Sequence, residues 1–208
     1  MRVLVVDDHA IVRQGVHRIL ESAGDPIDVY EAETGARAME LLSDGPCDLV
    51  VLDIALRGRN GIAVMKSIKA LYPRLPVLIL SLHPEDQYAV RALRAGAAGY
   101  ITKDAAPAEL LEAVRLAMRG QKFMSPRVAE RLATGAYTPG PEQLHEILSN
   151  REFQIFQLIA CGQTVSRIAV HLHISVKTVS THRMHVLQKL HLTTNAELTR
   201  YALERYLA

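Results

Sequence analysis

The chain has 208 residues, 49% of them hydrophobic and 22% charged, with a formal net charge of +2, so its length allows two ordinary domains that each bury a core. Its two cysteines, Cys47 and Cys161, show no CxxC or metal-like spacing, and no apolar run approaches the ~18 residues of a membrane helix. A disulfide framework and a membrane span are therefore excluded, and a soluble, unexported protein of the reducing cytoplasm is expected.

The first element is "VLVVDD", residues 3–8, a run too apolar for anything but a strand covered on both faces, ending in the adjacent acids Asp7 and Asp8. A helix follows, with Ile11, Val12, Val16, Ile19 and Leu20 at helical spacing. The alternation repeats. Strands are predicted at 27–32, 48–54, 76–82 and 99–103, and helices from about Thr34, Gly61, Pro84 and Pro107, the last ending at Arg119. Five strands alternating with five helices require right-handed crossovers and a parallel sheet covered on both faces, a doubly wound α/β unit. The rhythm stops near Gly120. A short helix is predicted at 125–132, then "ATGAYTPGPEQ" (133–143) reads as a linker. From Leu148 the pattern is helical, broken only at "CGQT", "HIS" and "HLTTN", which predicts a small four-helix domain. Residues 1–120 carry a net −2 and residues 146–208 a net +3, an asymmetry that permits nucleic-acid binding by the second part without establishing it.

Asp7 and Asp8 alone fit two readings, solvated residues capping a helix or part of a site. Asp53 ends the third strand, and in a sheet of order 2-1-3-4-5 the first and third strands are neighbours whose C-terminal ends lie together. Three carboxylates in one crevice call for a cation or for strongly raised pKa values, and Mg²⁺, a hard ion with oxygen ligands and a liking for phosphate, is the natural candidate. Ser81 and Lys103 close the fourth and fifth strands at the same edge, where a hydroxyl and an ammonium can hold an added phosphoryl group.

"VVDDH", "VVLDI", "ILSL" and "GYITK", at these separations, resemble the signature of bacterial two-component receiver domains, a flavodoxin-like fold, over essentially all of residues 1–120. The resemblance implies that Asp53 is the phosphoacceptor and that Asp7, Asp8, Asp53 and the backbone carbonyl of Ala55 hold Mg²⁺. It also implies that Ser81 and Lys103 bind phosphoryl oxygens, and that Tyr100 is an aromatic switch turning inward as Ser81 moves. The chain departs from the pattern at Arg57, where receivers commonly have proline. Ala55 and His83 stand where receivers set the lifetime of the acyl phosphate.

In the helical part, "TVSRIAVHL" (164–172), the turn "HIS" and a second helix from about Val176 to Leu190, capped by Ser175, follow the helix-turn-helix plan, although the spacing alone also fits an ordinary helical pair. Val179, Val186, Leu187 and Leu190 form the predicted buried stripe. Lys177, Thr178, Ser180, Thr181, Met184 and Gln188 are left outward, a face suited to the major groove. "ISVKTVSTHR…LQKL" resembles the DNA-binding domain of LuxR-type regulators, and with the receiver it places nearly the full chain in likeness to the NarL/FixJ response regulators. By that resemblance Lys177, Arg183 and Lys189 are phosphate contacts, and Ser180, Thr181 and Met184 are base readers. Many relatives carry lysine at Ser180 and Met184, which implies a different sequence preference. His171 with His173, and His182 with His185, are close in sequence, but no neighbouring carboxylate or thiolate completes a zinc site. The segment 195–208 places Leu198, Tyr201, Ala202 and Arg205 at helical spacing, a stripe that either closes the core or pairs two copies.

The expected organisation is a receiver at 1–120, a linker at 121–147 and a LuxR-type helix-turn-helix domain at 148–208. The implied partners are a sensor histidine kinase, double-stranded DNA bearing an inverted repeat, a second copy of the chain, and RNA polymerase. An enzyme is not expected: a phosphatase of the haloacid-dehalogenase kind needs a general acid two residues past its nucleophile, and that position is Ala55.

Overall fold

The computed structural model describes residues 1–24, 26–56, 61–82, 85–105, 107–133, 144–145 and 147–204. It divides into two compact units, residues 1–134 and 135–208. Arg57, His83 and Arg205 lie outside the described residues.

The first unit alternates strands and helices: β1 (Arg2–Val6), α1 (Ala10–Glu21), β2 (Asp28–Ala32), α2 (Gly35–Asp44), β3 (Leu49–Asp53), α3 (Gly61–Leu71), β4 (Val77–Ser81), α4 (Glu85–Arg94), β5 (Gly99–Thr102) and α5 (Pro107–Met118). All strand pairs are parallel and the order is β2-β1-β3-β4-β5. Every residue of β3 and β4 is buried, as their unbroken Leu, Val and Ile runs require of strands covered on both faces. Edge strand β2, "DVYEA", is largely accessible. On one face Val3, Val5, Leu49, Val51, Leu78 and Leu80 pack with Val16, Leu20, Leu110 and Val114.

The ordered part of this unit runs past residue 120. Phe123 forms a parallel bridge with Gly99, its amide donating to the Ala98 carbonyl at 2.9 Å, and α6 (Pro126–Ala133) follows with Val128 buried. The stretch expected as linker thus begins with structure that belongs to the first unit.

The second unit holds α7 (Asn150–Ala160), α8 (Val165–His171), α9 (Val176–Lys189) and α10 (Asn195–Leu203). Each opens on a hydroxyl N-cap, Ser149, Thr164, Ser175 or Thr194, accepting from a backbone amide three residues on; Ser149–Glu152 and Thr194–Glu197 are full capping boxes. Between α8 and α9, His173 takes φ +51° and the Ile174 amide reaches back to the Ala169 carbonyl at 3.0 Å. That left-handed residue makes the sharp reversal of a helix-turn-helix. Phe153, Phe156 and Tyr201 centre the small core.

Candidate functional site

The parallel register brings the ends of β1 and β3 side by side, pairing Val6 with Leu52, so Asp7 and Asp53 face one edge. Lys103 comes from just past β5. Its Nζ lies 2.6 Å from Asp7 Oδ2 and 3.0 Å from Asp53 Oδ2, and all three side chains are less than a tenth exposed. The Lys103 amide donates to the Ser81 carbonyl at 2.7 Å, which ties the lysine to the end of β4, and Ser81 itself is fully buried. Ala55 sits two residues beyond Asp53 in the exposed bend after β3.

Electrostatics follow from this burial. Desolvation pushes the Asp53 carboxyl above its ordinary range; the Lys103 charge pulls it back, and the Asp7 charge pushes it up again. Burial draws Lys103 down, but its hydrogen bond to Asp7 and the charge of Asp53 outweigh that and hold the ammonium above its usual range. Asp7, Asp8, His9 and Asp53 each offer a ligand atom within 4.8 Å of the others, and Asp53 Oδ1 is buried without a hydrogen-bond donor among the described residues. An oxygen-rich anionic pocket with such an atom fits a hard divalent cation.

Three residues of this edge escaped the sequence reading. His9 places Nδ1 2.9 Å from Asp8 Oδ1 and 3.2 Å from Asp7 Oδ1, and its amide donates to Asp7 Oδ1 at 2.8 Å. Arg13 is buried: Nη1 donates to the Asp7 carbonyl at 2.8 Å and Nε to Glu31 Oε2 at 2.7 Å. The signal for it was a charged side chain between Val12 and Val16 on an otherwise apolar helix stripe. Gly61 opens α3 so close to β3 that a Cβ there would stand 2.0 Å from the Asp53 carbonyl oxygen and 2.8 Å from Ile54 Cα. Tyr100, expected to turn inward, is already inside at 1% exposure. Tyr88 of α4 is equally buried, and burial pushes its phenol well above the usual range.

In the second unit α9 buries Val179, Val186 and Leu187, with Leu190 beneath its C-terminus, and exposes Lys177, Thr178, Ser180, Thr181, Met184 and Gln188. Thr178 Oγ1 is 2.8 Å from Ser175 Oγ, and the Thr181 hydroxyl donates to the Lys177 carbonyl at 3.0 Å. Two candidate phosphate contacts are engaged inside the unit. Arg183 Nε donates to Asn195 Oδ1 at 2.6 Å, joining α9 to α10, and Lys189 Nζ donates to Glu152 Oε2 at 2.6 Å, joining α9 to α7. Burial opposes the charge of Glu152, yet the Lys189 and Ser149 hydrogen bonds hold its carboxyl below the ordinary range. Burial lowers the His182 imidazole. The sequence offered no carboxylate to accompany His182 and His185; the fold supplies one, because Glu152 of α7 lies against both.

A doubly wound sheet with an acid–lysine edge, on one chain with a helix-turn-helix, defines a two-domain signalling regulator of transcription. Residues 3–115 match the response regulator receiver domain, and residues 146–202 match the bacterial regulatory proteins of the luxR family. The chain belongs to the response regulators, with a receiver domain and a LuxR-type DNA-binding domain. It is 35% identical over 199 residues to response regulator GacA of Pseudomonas viridiflava, covering 95% of this chain and 93% of that one. Among solved structures, RcsB of Salmonella enterica serovar Typhimurium, bound to promoter rprA in the presence of phosphomimetic BeF3-, aligns at TM-score 0.66 and 26% identity over 97% of this chain and 98% of that chain. A structure of two RcsB dimers bound to two parallel DNAs aligns at TM-score 0.59 and 26% identity over 98% of each chain. Among the described residues, no helix is long and apolar enough to cross a membrane.

Proposed function

We propose that Asp53 accepts a phosphoryl group from a sensor histidine kinase in the cytoplasm and that the modified chain, as a homodimer, binds an inverted repeat in double-stranded DNA. The observation that carries this reading is the Lys103 ammonium held between the buried carboxylates of Asp7 and Asp53. An Asp53 oxygen attacks phosphorus, the new O–P bond forms as the donor's bond to phosphorus breaks, and the leaving group departs in line. Asp7, Asp8, Asp53 and the Ala55 carbonyl would hold Mg²⁺, which when bound supplies positive charge to the phosphoryl oxygens. Lys103 lies 3.0 Å from Asp53 and is placed to pair with the added charge, while the Ser81 hydroxyl donates to it. The fully buried Tyr100 is one end state of the switch that reads this change.

On the DNA side, Ser180, Thr181 and Met184 face outward on α9 and are the readers, with Lys177 anchoring phosphate near the helix N-terminus and Thr178 and Gln188 exposed on the same helix. Arg183 and Lys189 touch phosphate only through donors left over from Asn195 and Glu152. The DNA-bound RcsB dimers, at 26% identity, support the dimer and the nucleic acid.

The test joins both sites. Acetyl phosphate with Mg²⁺ should add one phosphoryl group by intact mass, at Asp53, and EDTA should abolish it. DNA affinity should then rise by about 5- to 150-fold, the range usual for such coupling. Asp53→Asn should keep the unphosphorylated affinity and ignore the donor. A labelled wild type with unchanged DNA affinity would refute the control mechanism.

A further inference from the structure

We propose that Glu152, His182 and His185 form a transition-metal site in the helical unit, fitted to Zn²⁺. His182 and His185 are three residues apart on α9, which stacks them on one flank of the helix, and Glu152 is the third residue of α7. A nitrogen from each imidazole and a carboxylate oxygen lie within 4.8 Å of one another. Two independent details point to a ligand. His182 Nδ1 is buried and has no hydrogen-bond partner among the described residues, a cost that a coordinated ion removes. The carboxylate is also divided in its duties: Oε2 takes the Ser149 amide at 2.7 Å and Lys189 Nζ at 2.6 Å, while Oε1 faces His185 Nδ1 at 3.7 Å. Ligand atoms about 2.0–2.1 Å from a tetrahedral zinc stand roughly 3.4 Å apart, so only a small closure is needed. His185 is 45% exposed and free to make it.

The donor set selects the metal. Two imidazoles and one carboxylate suit Zn²⁺ and its first-row neighbours, whereas Mg²⁺ and Ca²⁺ take all-oxygen shells. Lys189 stays on Oε2 and orients the carboxylate from outside the coordination sphere, as such partners do. Three protein ligands leave the fourth position to water. On the helical wheel the positions of Thr178, His182, His185 and Lys189 form a stripe between the buried residues and the Lys177, Thr181, Met184 and Gln188 stripe. Zinc there staples α9 to α7 beside the candidate base readers without covering them.

The full chain titrated calorimetrically with Zn²⁺ in excess Mg²⁺ is expected to show one zinc per chain in the helical unit. This binding should survive Asp8→Asn, which alters the other acid–histidine cluster, and weaken by about tenfold or more in His185→Asn. Circular dichroism should show His185→Asn folded. Long-range ¹H–¹⁵N imidazole spectra of the wild type give a mutation-free readout: zinc should move His182 and His185 and leave His171, His173 and His191 in place. Absence of zinc binding, binding unchanged in His185→Asn, binding lost in Asp8→Asn, or unmoved His182 and His185 resonances would each overturn the site.

Discussion

Lys189 donates to Glu152 across 2.6 Å, so the last cation of α9 serves the interior of its own unit. Lys177, at the other end of the same helix, is exposed. Lys189→Ala should therefore lower unfolding free energy by about 1–2 kcal/mol, since it strands a nearly buried carboxylate whose partner is partly exposed. It should lower the salt slope of DNA binding by less than one, because its ammonium reaches phosphate only through donors left over from Glu152. Lys177→Ala should leave stability alone and reduce the salt slope by about one. Denaturant unfolding and DNA binding at several salt concentrations separate the two; a reversed pattern would exchange their roles.

Lys103 is a buried cation that holds Asp7 and Asp53 together at this edge. Lys103→Met should cost about 3 kcal/mol or more without divalent ions, because the buried charges lose their partner. Added Mg²⁺ should then stabilise the variant more than the wild type, as the ion takes over that neutralisation. Urea unfolding with and without Mg²⁺ measures both gains, and equal gains would show that the ion and the lysine answer to different groups.

Among the described glycines, Gly61 is the one whose added Cβ would stand nearest to another atom. A methyl group there meets the Asp53 carbonyl oxygen and Ile54 Cα, both backbone atoms that have no rotamer to yield. Gly61→Ala should cost about 1–3 kcal/mol and slow phosphorylation by displacing the end of β3. Thermal unfolding and labelling rates test this; a wild-type labelling rate in the variant would mean that α3 can retreat without moving Asp53.

Glu197 closes the capping box of α10, and hydrogen bonds from the Thr193 amide and hydroxyl and the Thr194 amide hold its carboxyl below the ordinary range. A depressed folded-state pKa contributes stability that is present above the ordinary glutamate value of about 4.3 and is lost as pH falls through the folded value. Carboxyl ¹³C titration should place the Glu197 midpoint below that of a free glutamate. Stability of Glu197→Gln should vary less with pH in the same acid window. A Glu197 midpoint at or above the free value would disprove the cap's electrostatic role.

Much of the first unit was legible because its strands advertise their environment. "LVVLD" has no polar face to offer solvent, and Asp53 ends it at the edge where strands of this topology meet ligands. Short-range features were legible as well, such as the Ser175 cap, which accepts from the Thr178 amide. What stayed hidden depends on residues distant in sequence. Glu152 joins His182 across 30 positions, and Arg13 reaches Glu31 across a strand, so no local period marks either contact. The reach of Phe123 back to Gly99 was hidden for the same reason: a single bridge has no pattern.

Arg13 has one further consequence, because a single guanidinium grips both the carbonyl of Asp7 and the carboxylate of Glu31. The height at which Asp7 presents its side chain is thereby indexed to β2, an edge strand that carries no phosphoryl chemistry. The tip of β1 behaves as a pinned lever. A substitution at Glu31, remote from every proposed phosphate contact, would tilt that lever and reach the acidic pocket through one side chain.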